Sequence, residues 1–392
     1  MNQRTRTTFR GYLRRDGSVG TRNWVAVISS VGCANEVAHE ICQVVPGAIP
    51  ITHHQGCTQL EPDIISVQRT LANIGKNPNF GAVLVVSLGC ESVDHELLKQ
   101  HIASSQKPVE KIVIQEIGGS LEAISRGIAI TANLYREISN ACRETLPIEK
   151  LVLGLKCGSS DFTSGISANP ALGEAVDILL EMNATVIFGE TTEIIGAEHV
   201  ICRRALNKEV EEKLINKVRL MEERAKNIGV DMRKGQPTPG NIDGGLTTIE
   251  EKSLGAITKT GSGTITGILD FFERVQGKGL YMKDTPGREM EALTGLVAGG
   301  ANIIAFTTGR GAPQGFPGVP VLKISGNPRT CEKLGVHIDT DVSRLITGGM
   351  SLDKSASLIY RDILEVASGR VTKAESLGYD RTMEIYTTGP VI

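Results

Sequence analysis

Runs of consecutive apolar residues recur along the chain, and most of them precede a stretch with helical spacing. The runs NWVAVISS (23–30), GAVLVVSLG (81–89) and KLVLGL (150–155) show no polar alternation, which is typical of strands covered on both faces. The stretches ANEVAHEICQVV (34–45) and ALGEAVDILLEM (171–182) space their apolar residues as a helix with one buried face does. Strands that alternate with helices indicate parallel βαβ units. The pattern therefore predicts an α/β fold of two Rossmann-like lobes with mostly parallel sheets.

A change of composition near the middle of the chain indicates where the two lobes meet. The charged stretch at 209–229 predicts a surface helix with several i,i+4 pairs. The loop GQPTPGNIDGG (235–245) follows it, and proline and glycine in such density are typical of a connection. We therefore expect an N-terminal α/β lobe over residues 1–230, which carries the cysteine and histidine motifs, and a C-terminal α/β lobe over residues 231–392.

Charge and hydropathy exclude several classes of protein. The 42 basic and 44 acidic residues give a net charge of −2, so the charge does not favour a nucleic acid or an anionic membrane as partner. No apolar run approaches the ~18 residues of a membrane-spanning helix. The basic start MNQRTRTTFRGYLRRDG has no apolar stretch behind it, as a secretory signal would need. We therefore expect a cytoplasmic enzyme with no nucleic-acid or membrane partner.

Eight cysteines occur in two different contexts. Four of them adjoin a glycine near the end of an apolar run, and these are Cys33, Cys57, Cys90 and Cys157. The other four lie in stretches with helical spacing. A helical cysteine usually serves as a small core residue. A disulfide framework is not expected in a cytosolic chain of this size, and the sequence contains no CxxC pair that would indicate a zinc ribbon.

Two of these cysteine motifs, THHQGC and LGCES, place candidate metal ligands directly after apolar runs. Imidazole and thiolate are good ligands for iron and zinc. An extended chain turns His53 and His54 to opposite faces, so at most one of them shares a site with Cys57. The alternative is a hydrogen-bonded histidine beside a buried thiol. For Cys90 the alternative is a turn into a helix capped by Ser92, although a helix N-terminus would itself favour a thiolate.

The loop GLKCGSSDFTSGISANP (154–170) is dense in hydrogen-bonding side chains between two apolar elements. Small hydroxyls and free backbone N–H groups at the start of a helix suit the recognition of a carboxylate or phosphate. A solvated loop is the alternative, but a plain loop has little use for so many polar groups. The candidate substrate-binding residues of this loop are Ser159, Ser160, Asp161, Ser164 and Asn169.

Carboxylates follow the next apolar run, and two cations lie in loops of the second lobe. Glu190 and Glu193 are three residues apart and would share a helix face, which makes them candidates for acid–base catalysis. A helix capping box is the alternative. Lys252 and Arg310 lie beside flexible backbone and are natural binders of a substrate carboxylate. Ordinary surface cations are the alternative for this pair.

One protein family carries these motifs in the same order along nearly the whole chain. The matching segments are GYLRRDGSVGTRN, THHQGCTQL, NPNFGAVLVVSLGCE, GLKCGSSDFTSGISANPALG, ETTEIIGAEH, PTPGNIDGGLTTIEEKSLG and FTTGRG. The chain resembles the altronate dehydratase and galactarate dehydratase family in its large catalytic region. The resemblance implies a lyase that removes water from a sugar acid such as altronate or galactarate and gives a 2-keto-3-deoxy acid. Related large subunits act on 2-hydroxy-3-sulfonate acids, so the beta subunit of a (2R)-sulfolactate sulfo-lyase is the alternative.

The resemblance also implies a cofactor and a partner. The family is associated with a divalent metal, usually Fe2+, with Mn2+ as the second choice. We expect some of His53, Cys57, Cys90 and Cys157 to bind it, because thiolate and imidazole suit iron(II). These four would fill a tetrahedral ion, so at least one cysteine is expected outside the ligand shell. The single-chain dehydratases carry a small N-terminal domain before the matching region, which implies a separate small subunit here, and a homo-oligomer is a further expectation.

The roles of individual residues are hypotheses from the chemistry of the elimination that the resemblance implies. Glu190 or Glu193 is the expected general base, the loop at 154–170 would hold the substrate hydroxyls, and Lys252 and Arg310 would hold its carboxylate. The loop reads CGSSD where the sugar-acid dehydratases typically show CGGSD, which bears on the substrate more than on the chemistry. A non-catalytic sugar-acid sensor is the alternative from a different class. The density of cysteine motifs argues against a sensor, which has no need of thiolates.

Overall fold

Two parallel β-sheets form the frame of the fold, and the computed structural model describes residues 6–390 and 392. The elements up to residue 150 are β1 (Thr8–Leu13), β2 (Val19–Gly20), β3 (Trp24–Ser29), α1 (Asn35–Val44), β4 (Ala48–Ile51), α2 (Glu61–Gly75), β5 (Phe80–Ser87), α3 (His95–Ala103), β6 (Val109–Val113), α4 (Ile114–Ile117), α5 (Ser120–Ile138) and β7 (Glu144–Pro147). The elements that follow are β8 (Val152–Gly158), α6 (Asn169–Glu181), β9 (Thr185–Phe188), α7 (Glu198–Ile201), α8 (Lys208–Asn227), α9 (Pro239–Asp243), α10 (Ile249–Ile257), β10 (Ile265–Leu269), β11 (Gly279–Lys283), α11 (Glu289–Ala298), β12 (Ile303–Thr308), β13 (Val321–Ser325), α12 (Pro328–Lys333), β14 (Thr340–Asp341), α13 (Arg344–Thr347), α14 (Leu352–Ala367) and α15 (Lys373–Leu377).

The smaller parallel sheet has the strand order β4-β3-β5-β6, and all its pairings are parallel. One of its two central strands, β5, is buried at every residue, which explains the unbroken apolar run in the sequence. Helices α1 and α5 cover one face, and helices α2 and α3 cover the other. A separate antiparallel sheet of order β2-β1-β7 is formed by residues before and after this unit.

The larger parallel sheet has the strand order β10-β11-β9-β8-β12-β13-β14. Helices α6 and α14 pack on one of its faces. Helix α11 packs on the other face and also contacts α2 of the smaller sheet. One hydrophobic cluster therefore joins both sheets, with Val67 and Leu71 from α2, Leu293 and Val297 from α11, and Ile304 from β12. The predicted α/β class with mostly parallel sheets is confirmed.

The two sheets divide the chain at a different place from the expected boundary at residue 230. Strands β8 and β9 precede that residue and β10 to β14 follow it, yet all of them belong to the larger sheet. Strand β9 pairs directly with β11, for example through Val186 and Leu280. The proline- and glycine-rich loop therefore lies in a connection within one sheet, and the change from the smaller to the larger parallel sheet falls between β6 and β8. A loop of this composition marks a turn of the backbone, and such turns occur within sheets as well as between them.

The strands of each parallel sheet direct their carboxyl ends to one edge, which is where open α/β sheets bind ligands. At the larger sheet this edge carries the loops after β8, β9 and β12. At the smaller sheet it carries the loops after β3, β4 and β5. In the described part of the chain, no helix is long and apolar enough to cross a membrane.

Candidate active site

A chain of buried charges lies at the carboxyl ends of β8 and β9. Lys156 belongs to β8 and donates a hydrogen bond to the carboxylate of Glu190, which follows β9. The ammonium of Lys259 donates to two carboxylates, at 3.1 Å from Glu190 Oε2 and 2.8 Å from Glu193 Oε2. All four side chains are at most 5 % exposed. Buried charges are tolerated when they are paired, and here each carboxylate has a lysine partner.

The two glutamates differ in how readily they accept a proton. Burial raises the pKa of Glu190, but the charges of Lys156 and Lys259 outweigh it and lower this pKa to about 2. For Glu193, burial and the neighbouring charge of Glu190 raise the pKa, while Lys259 and Lys252 compensate only in part. These shifts keep Glu190 ionised and make Glu193 the more basic of the two carboxylates, so Glu193 is the better candidate for a general base.

Glu193 lines a cleft of about 420 Å³. The cationic lining residues are Lys156, Lys252 and Arg288, and the acidic ones are Glu193 and Glu289. The wall thus carries more positive than negative charge, which favours a small anionic substrate. The volume is within the range of about 300–1,000 Å³ that is typical of small-molecule sites.

Two residues beside this cleft hold a left-handed backbone. Ser159 directly follows β8 and has a φ of 48°, and Glu190 comes two residues after β9 and has a φ of 69°. For a residue other than glycine such a conformation costs roughly 1–3 kcal/mol. The turn at Glu190 is held by its backbone N–H, which donates to Thr285 Oγ1 at 2.7 Å. Strain of this kind concentrates at functional sites, and Ser159 and Ser160 both line the cleft.

Cys157 lies in the wall of the same cleft as a buried thiol. Its Sγ lies 2.9 Å from Ser160 Oγ and accepts from Asn169 Nδ2 at 3.7 Å. Burial raises the pKa of Cys157, and the charge of Glu193 adds to the effect. The thiol is therefore favoured over the thiolate that a metal requires. Asn169 is fixed in turn by Thr307 Oγ1, which donates to its Oδ1 at 2.6 Å.

Asp161 organises the loop in which it lies. Its Oδ1 accepts from Thr163 Oγ1 at 2.6 Å and from Ser164 N at 3.0 Å. Its Oδ2 accepts from Asn327 Nδ2 at 2.6 Å. These bonds engage both carboxylate oxygens with protein donors. Asp161 and Ser164 line a neighbouring cavity of about 260 Å³, to which Ser160 also belongs.

The two predicted carboxylate-binding cations lie in different places. Lys252 lines the cleft, donates to Gln236 Oε1 at 2.8 Å and lies 3.8 Å from Glu193 Oε1. The side chain of Arg310 is 46 % exposed, and its Nη1 donates to the carbonyl oxygen of Gly240 at 2.5 Å. Arg310 lines a separate cavity of about 790 Å³. The structure therefore brings Lys252, and not Arg310, to the candidate base.

The four predicted metal ligands are divided between the two sheets. His53 and Cys57 follow β4 and Cys90 follows β5 in the smaller sheet, whereas Cys157 belongs to β8 in the larger sheet. Among residues 6–390 and 392, no three His, Cys, Asp or Glu side chains converge closely enough to hold one ion. The predicted set therefore does not fit a single divalent ion in this arrangement.

The imidazole of His53 is engaged at both nitrogens. Nε2 lies 2.9 Å from the carbonyl oxygen of Ser29, and Nδ1 accepts from the backbone N–H of Gln55 at 3.1 Å. Burial lowers the pKa of His53 to about 4. The ring is therefore neutral, with Nε2 as the donor, and has the environment of a hydrogen-bonded structural histidine.

Sequence reasoning missed Lys156, Lys259 and Arg288. Lys156 had a visible signal, because it is a charge at the end of an apolar run that forms a buried strand. Lys259 had none, because it is 69 residues from its partner Glu190 along the chain. Its position in the site depends on the fold.

A lysine–glutamate network with shifted pKa values lies beside a small polar cleft at the carboxyl edge of a parallel sheet, which is where α/β enzymes bind their ligands. Comparison with known proteins identifies the group of enzymes. Residues 148–391 match the family model described as D-galactarate/Altronate dehydratase, C-terminal, and residues 11–139 match that of D-galactarate dehydratase/Altronate hydrolase, second domain. The chain belongs to this family, and the resemblance inferred from the motifs is confirmed.

Similarity to individual proteins supports membership of this family. The chain is 37% identical over 376 residues to the (2R)-sulfolactate sulfo-lyase subunit beta of Chromohalobacter salexigens, covering 95% of both chains. It is 31% identical over 392 residues to the altronate dehydratase of Bacillus subtilis, covering 97% of this chain and 78% of the relative. It is 33% identical over 405 residues to the galactarate dehydratase (L-threo-forming) of Escherichia coli, covering 98% of this chain and 77% of the relative. All three names denote lyases, and this chain is an enzyme of that class.

Proposed function

We propose that this enzyme removes water from a sugar acid such as altronate or galactarate and releases a 2-keto-3-deoxy acid. The observation that carries the proposal is the position of Glu193, a carboxylate with a raised pKa in a cleft where cations outnumber anions. Dehydration of a hydroxy acid needs a base for the proton on the α-carbon and positive charge near the substrate carboxylate. The names of the dehydratase relatives support the same reaction.

Each step of the elimination has a group in the cleft. Glu193 takes the α-proton, and Lys252, whose ammonium lies 3.8 Å from Glu193 Oε1, binds the carboxylate and stabilises the negative charge that develops on it. Ser159 and Ser160 bind substrate hydroxyls from the wall that they line. Glu190 stays ionised and holds Lys156 and Lys259 in place. As the electrons of the α-C–H bond form the C=C bond, the bond to the β-hydroxyl breaks and the proton now on Glu193 goes to the departing hydroxide to give water; the resulting enol converts to the keto acid.

A divalent metal, Fe2+ or Mn2+, stays part of the proposal, since a Lewis acid assists the departure of hydroxide. No step of the elimination is assigned to the metal, because the four predicted ligands do not fit one ion. Metal analysis of anaerobically purified protein, with activity before and after chelation, tests the requirement. Full activity of a metal-free enzyme would contradict it.

The test of the reaction is a panel of sugar acids with detection of 2-keto acid, using the wild type and Glu193→Gln. We expect a keto acid from at least one substrate and its near absence in the variant. Wild-type activity that survives in Glu193→Gln would overturn the assignment of the base. Binding without turnover of any acid would overturn the dehydratase proposal.

A second candidate is sulfite elimination from a 2-hydroxy-3-sulfonate acid. It is favoured by the 37% identity to the sulfo-lyase beta subunit over 95% of both chains. The same base would remove the same α-proton, and sulfite would leave in place of hydroxide. In this case we propose that a small subunit completes the enzyme, as the relative's name denotes one subunit of an assembly. Release of sulfite from 3-sulfolactate, with and without a co-encoded small subunit, distinguishes the two candidates. A cytoplasmic location and a homo-oligomeric assembly stay predictions.

A further inference from the structure

Three cysteines lie side by side at the carboxyl edge of the smaller sheet. Cys33 follows β3, Cys57 follows β4 and Cys90 follows β5, and these strands are neighbours in the order β4-β3-β5. Each cysteine directly follows a glycine, at positions 32, 56 and 89. The same Gly-Cys pair therefore recurs on three adjacent parallel strands, although the three pairs are far apart in the sequence.

The three loops are tied to one another next to the cysteines. The N–H of Gly32 donates to the carbonyl oxygen of Gln55 at 3.1 Å, which joins the loops after β3 and β4. The N–H of Ser92 donates to the carbonyl oxygen of Gly56 at 2.9 Å, which joins the loops after β5 and β4. Every one of the three cysteines is thus within two residues of a backbone bond to a neighbouring cysteine loop.

The glycine before Cys57 is required by this close approach. Gly56 has a φ of 111°, and a Cβ at this position would lie 2.5 Å from the carbonyl oxygen of Ser30 in the loop after β3. Gly89, before Cys90, has a φ of 120°. The backbone turns at these two glycines place the cysteines where the loops meet.

The thiols of Cys33, Cys57 and Cys90 are all free and exposed. Unpaired cysteines are usually among the most buried residues, and Cys157 of this chain follows that rule. Cys90 also has a polar neighbour, since Gln115 Nε2 donates to its Sγ at 3.5 Å. Amide donors to cysteine sulfur are a feature of iron–sulfur sites, where they tune the potential. Three exposed thiols at one edge are accessible to a soft metal cofactor.

The geometry points to a cubane iron–sulfur cluster of four irons and four sulfides, ligated by Cys33, Cys57 and Cys90. A single ion needs its ligands to converge on one atom, and no three candidate side chains in the described residues do so. The thiolates of a cluster bind different irons and therefore stand further apart. Three cysteines leave one iron without a protein thiolate. His53 is not needed as a ligand, because both of its ring nitrogens are engaged.

The C-terminal segment places this site beside the cleft. Gln55 Nε2 donates to the carbonyl oxygen of Ile385 at 3.3 Å, close to Cys57. The preceding residue, Glu384, has its Oε2 3.4 Å from Nη1 of Arg288, which lines the cleft. Consecutive Cα atoms are ~3.8 Å apart, so one short piece of chain contacts both sites.

Iron and acid-labile sulfide, measured on anaerobically produced and reconstituted full-length chain, test the cluster without any substrate. We expect about four of each per chain, with the broad visible absorption of thiolate-bound iron. Cys33→Ala, Cys57→Ala and Cys90→Ala should each lose most of both. Cys142→Ala is the matched control, since Cys142 is also free and exposed but lies after α5, and it should keep full content.

Alkylation followed by mass spectrometry gives a second readout on the unmutated protein. Cys33, Cys57 and Cys90 should be protected in the loaded protein and become reactive after the iron is removed with a chelator, whereas Cys142 should react in both states. Iron without sulfide, equal iron and sulfide content in the wild type and the three cysteine variants, or no change in protection would each overturn the cluster. These measurements do not depend on the identity of the substrate, so a failed turnover assay would not affect them.

Discussion

The carboxyl edges of the two sheets have the same architecture but hold opposite kinds of side chain. At the larger sheet, Lys156, Glu190 and Lys259 are buried, and every charge is paired. At the smaller sheet, Cys33, Cys57 and Cys90 are exposed, and the loops are tied through backbone bonds. The first edge holds paired charges and the proposed general base, whereas the second holds the three thiols proposed to bind iron. Position at a strand end thus indicates that a loop is functional, and burial determines the chemistry available to it.

The largest expected effect is the loss of activity when Glu193, the proposed base, is replaced. Glu193→Gln removes the group assigned to take the α-proton, so kcat should fall about 10²–10⁴-fold, the usual contribution of a general base. Steady-state kinetics with the accepted substrate measures it, and the thermal unfolding midpoint should change little. A loss of stability with intact kcat would instead place Glu193 among the structural charges.

Glu190→Gln should mainly lower the free energy of unfolding, in contrast to Glu193→Gln, which should mainly lower kcat. Removal of one carboxylate leaves buried lysine charge uncompensated, which destabilises proteins by about 3–5 kcal/mol. The pKa of Glu190 is depressed to about 2 in the folded protein. The ionised carboxylate therefore makes its full contribution to the free energy of unfolding at pH values above its pKa in the unfolded chain, about 4.3. It is lost as pH falls toward 2.

Urea unfolding of the wild type and Glu190→Gln near pH 7 and near pH 3 measures this difference. The gap in unfolding free energy should be smaller at the lower pH. A gap that stays constant across this range would show that Glu190 does not stabilise the fold through its charge.

A smaller effect, on KM, distinguishes Lys252 from Arg310. Lys252→Gln should raise KM about tenfold or more, because a hydrogen bond to a charged group contributes roughly 1.5–3 kcal/mol. Arg310→Gln should change KM much less, since Arg310 lines a different cavity and is 46 % exposed. Equal effects on KM would place both side chains at the substrate carboxylate and would imply that Arg310 moves on binding.

The smallest effect is a shift in pH dependence. Glu193 must be ionised to act, and its pKa is raised by burial and by Glu190, so kcat/KM should fall on the acid side at a pH above the ordinary value of about 4.3. In Glu190→Gln the like charge is gone, and this acid limb should move to lower pH. A profile of kcat/KM against pH for both proteins, below their unfolding temperatures, measures the shift. An unmoved limb would show that another group sets it.

Much of the fold could be predicted from the sequence, because unbroken apolar runs such as those of β5 and β8 are direct consequences of burial on both faces. The boundary at residue 230 could not, since a proline-rich loop reports a turn and not the pairing of β9 with β11. Glu193 was found through its motif. Lys259 was not, because only the fold brings it to Glu190.

The grouping of Cys157 with Cys57 and Cys90 had a similar basis. All three follow or end apolar runs, and the sequence does not report that two separate sheets supply them. His53 was a reasonable candidate by residue type, but its hydrogen bonds to Ser29 and Gln55 depend on distances between loops. Residue types at strand ends are therefore readable from the sequence, whereas their partners are not.

The hydrophobic cluster shared by α2 and α11 has a consequence for cooperativity. Val67 and Leu71 from the smaller sheet's helix and Leu293 and Val297 from the larger sheet's helix pack into the same core. Separation of the two parts would expose this apolar surface on both of them, at a cost proportional to the area uncovered. Each part also has a hydrophobic cluster of its own, but the shared cluster couples them, so we expect the chain to melt in a single transition even though two family models divide it.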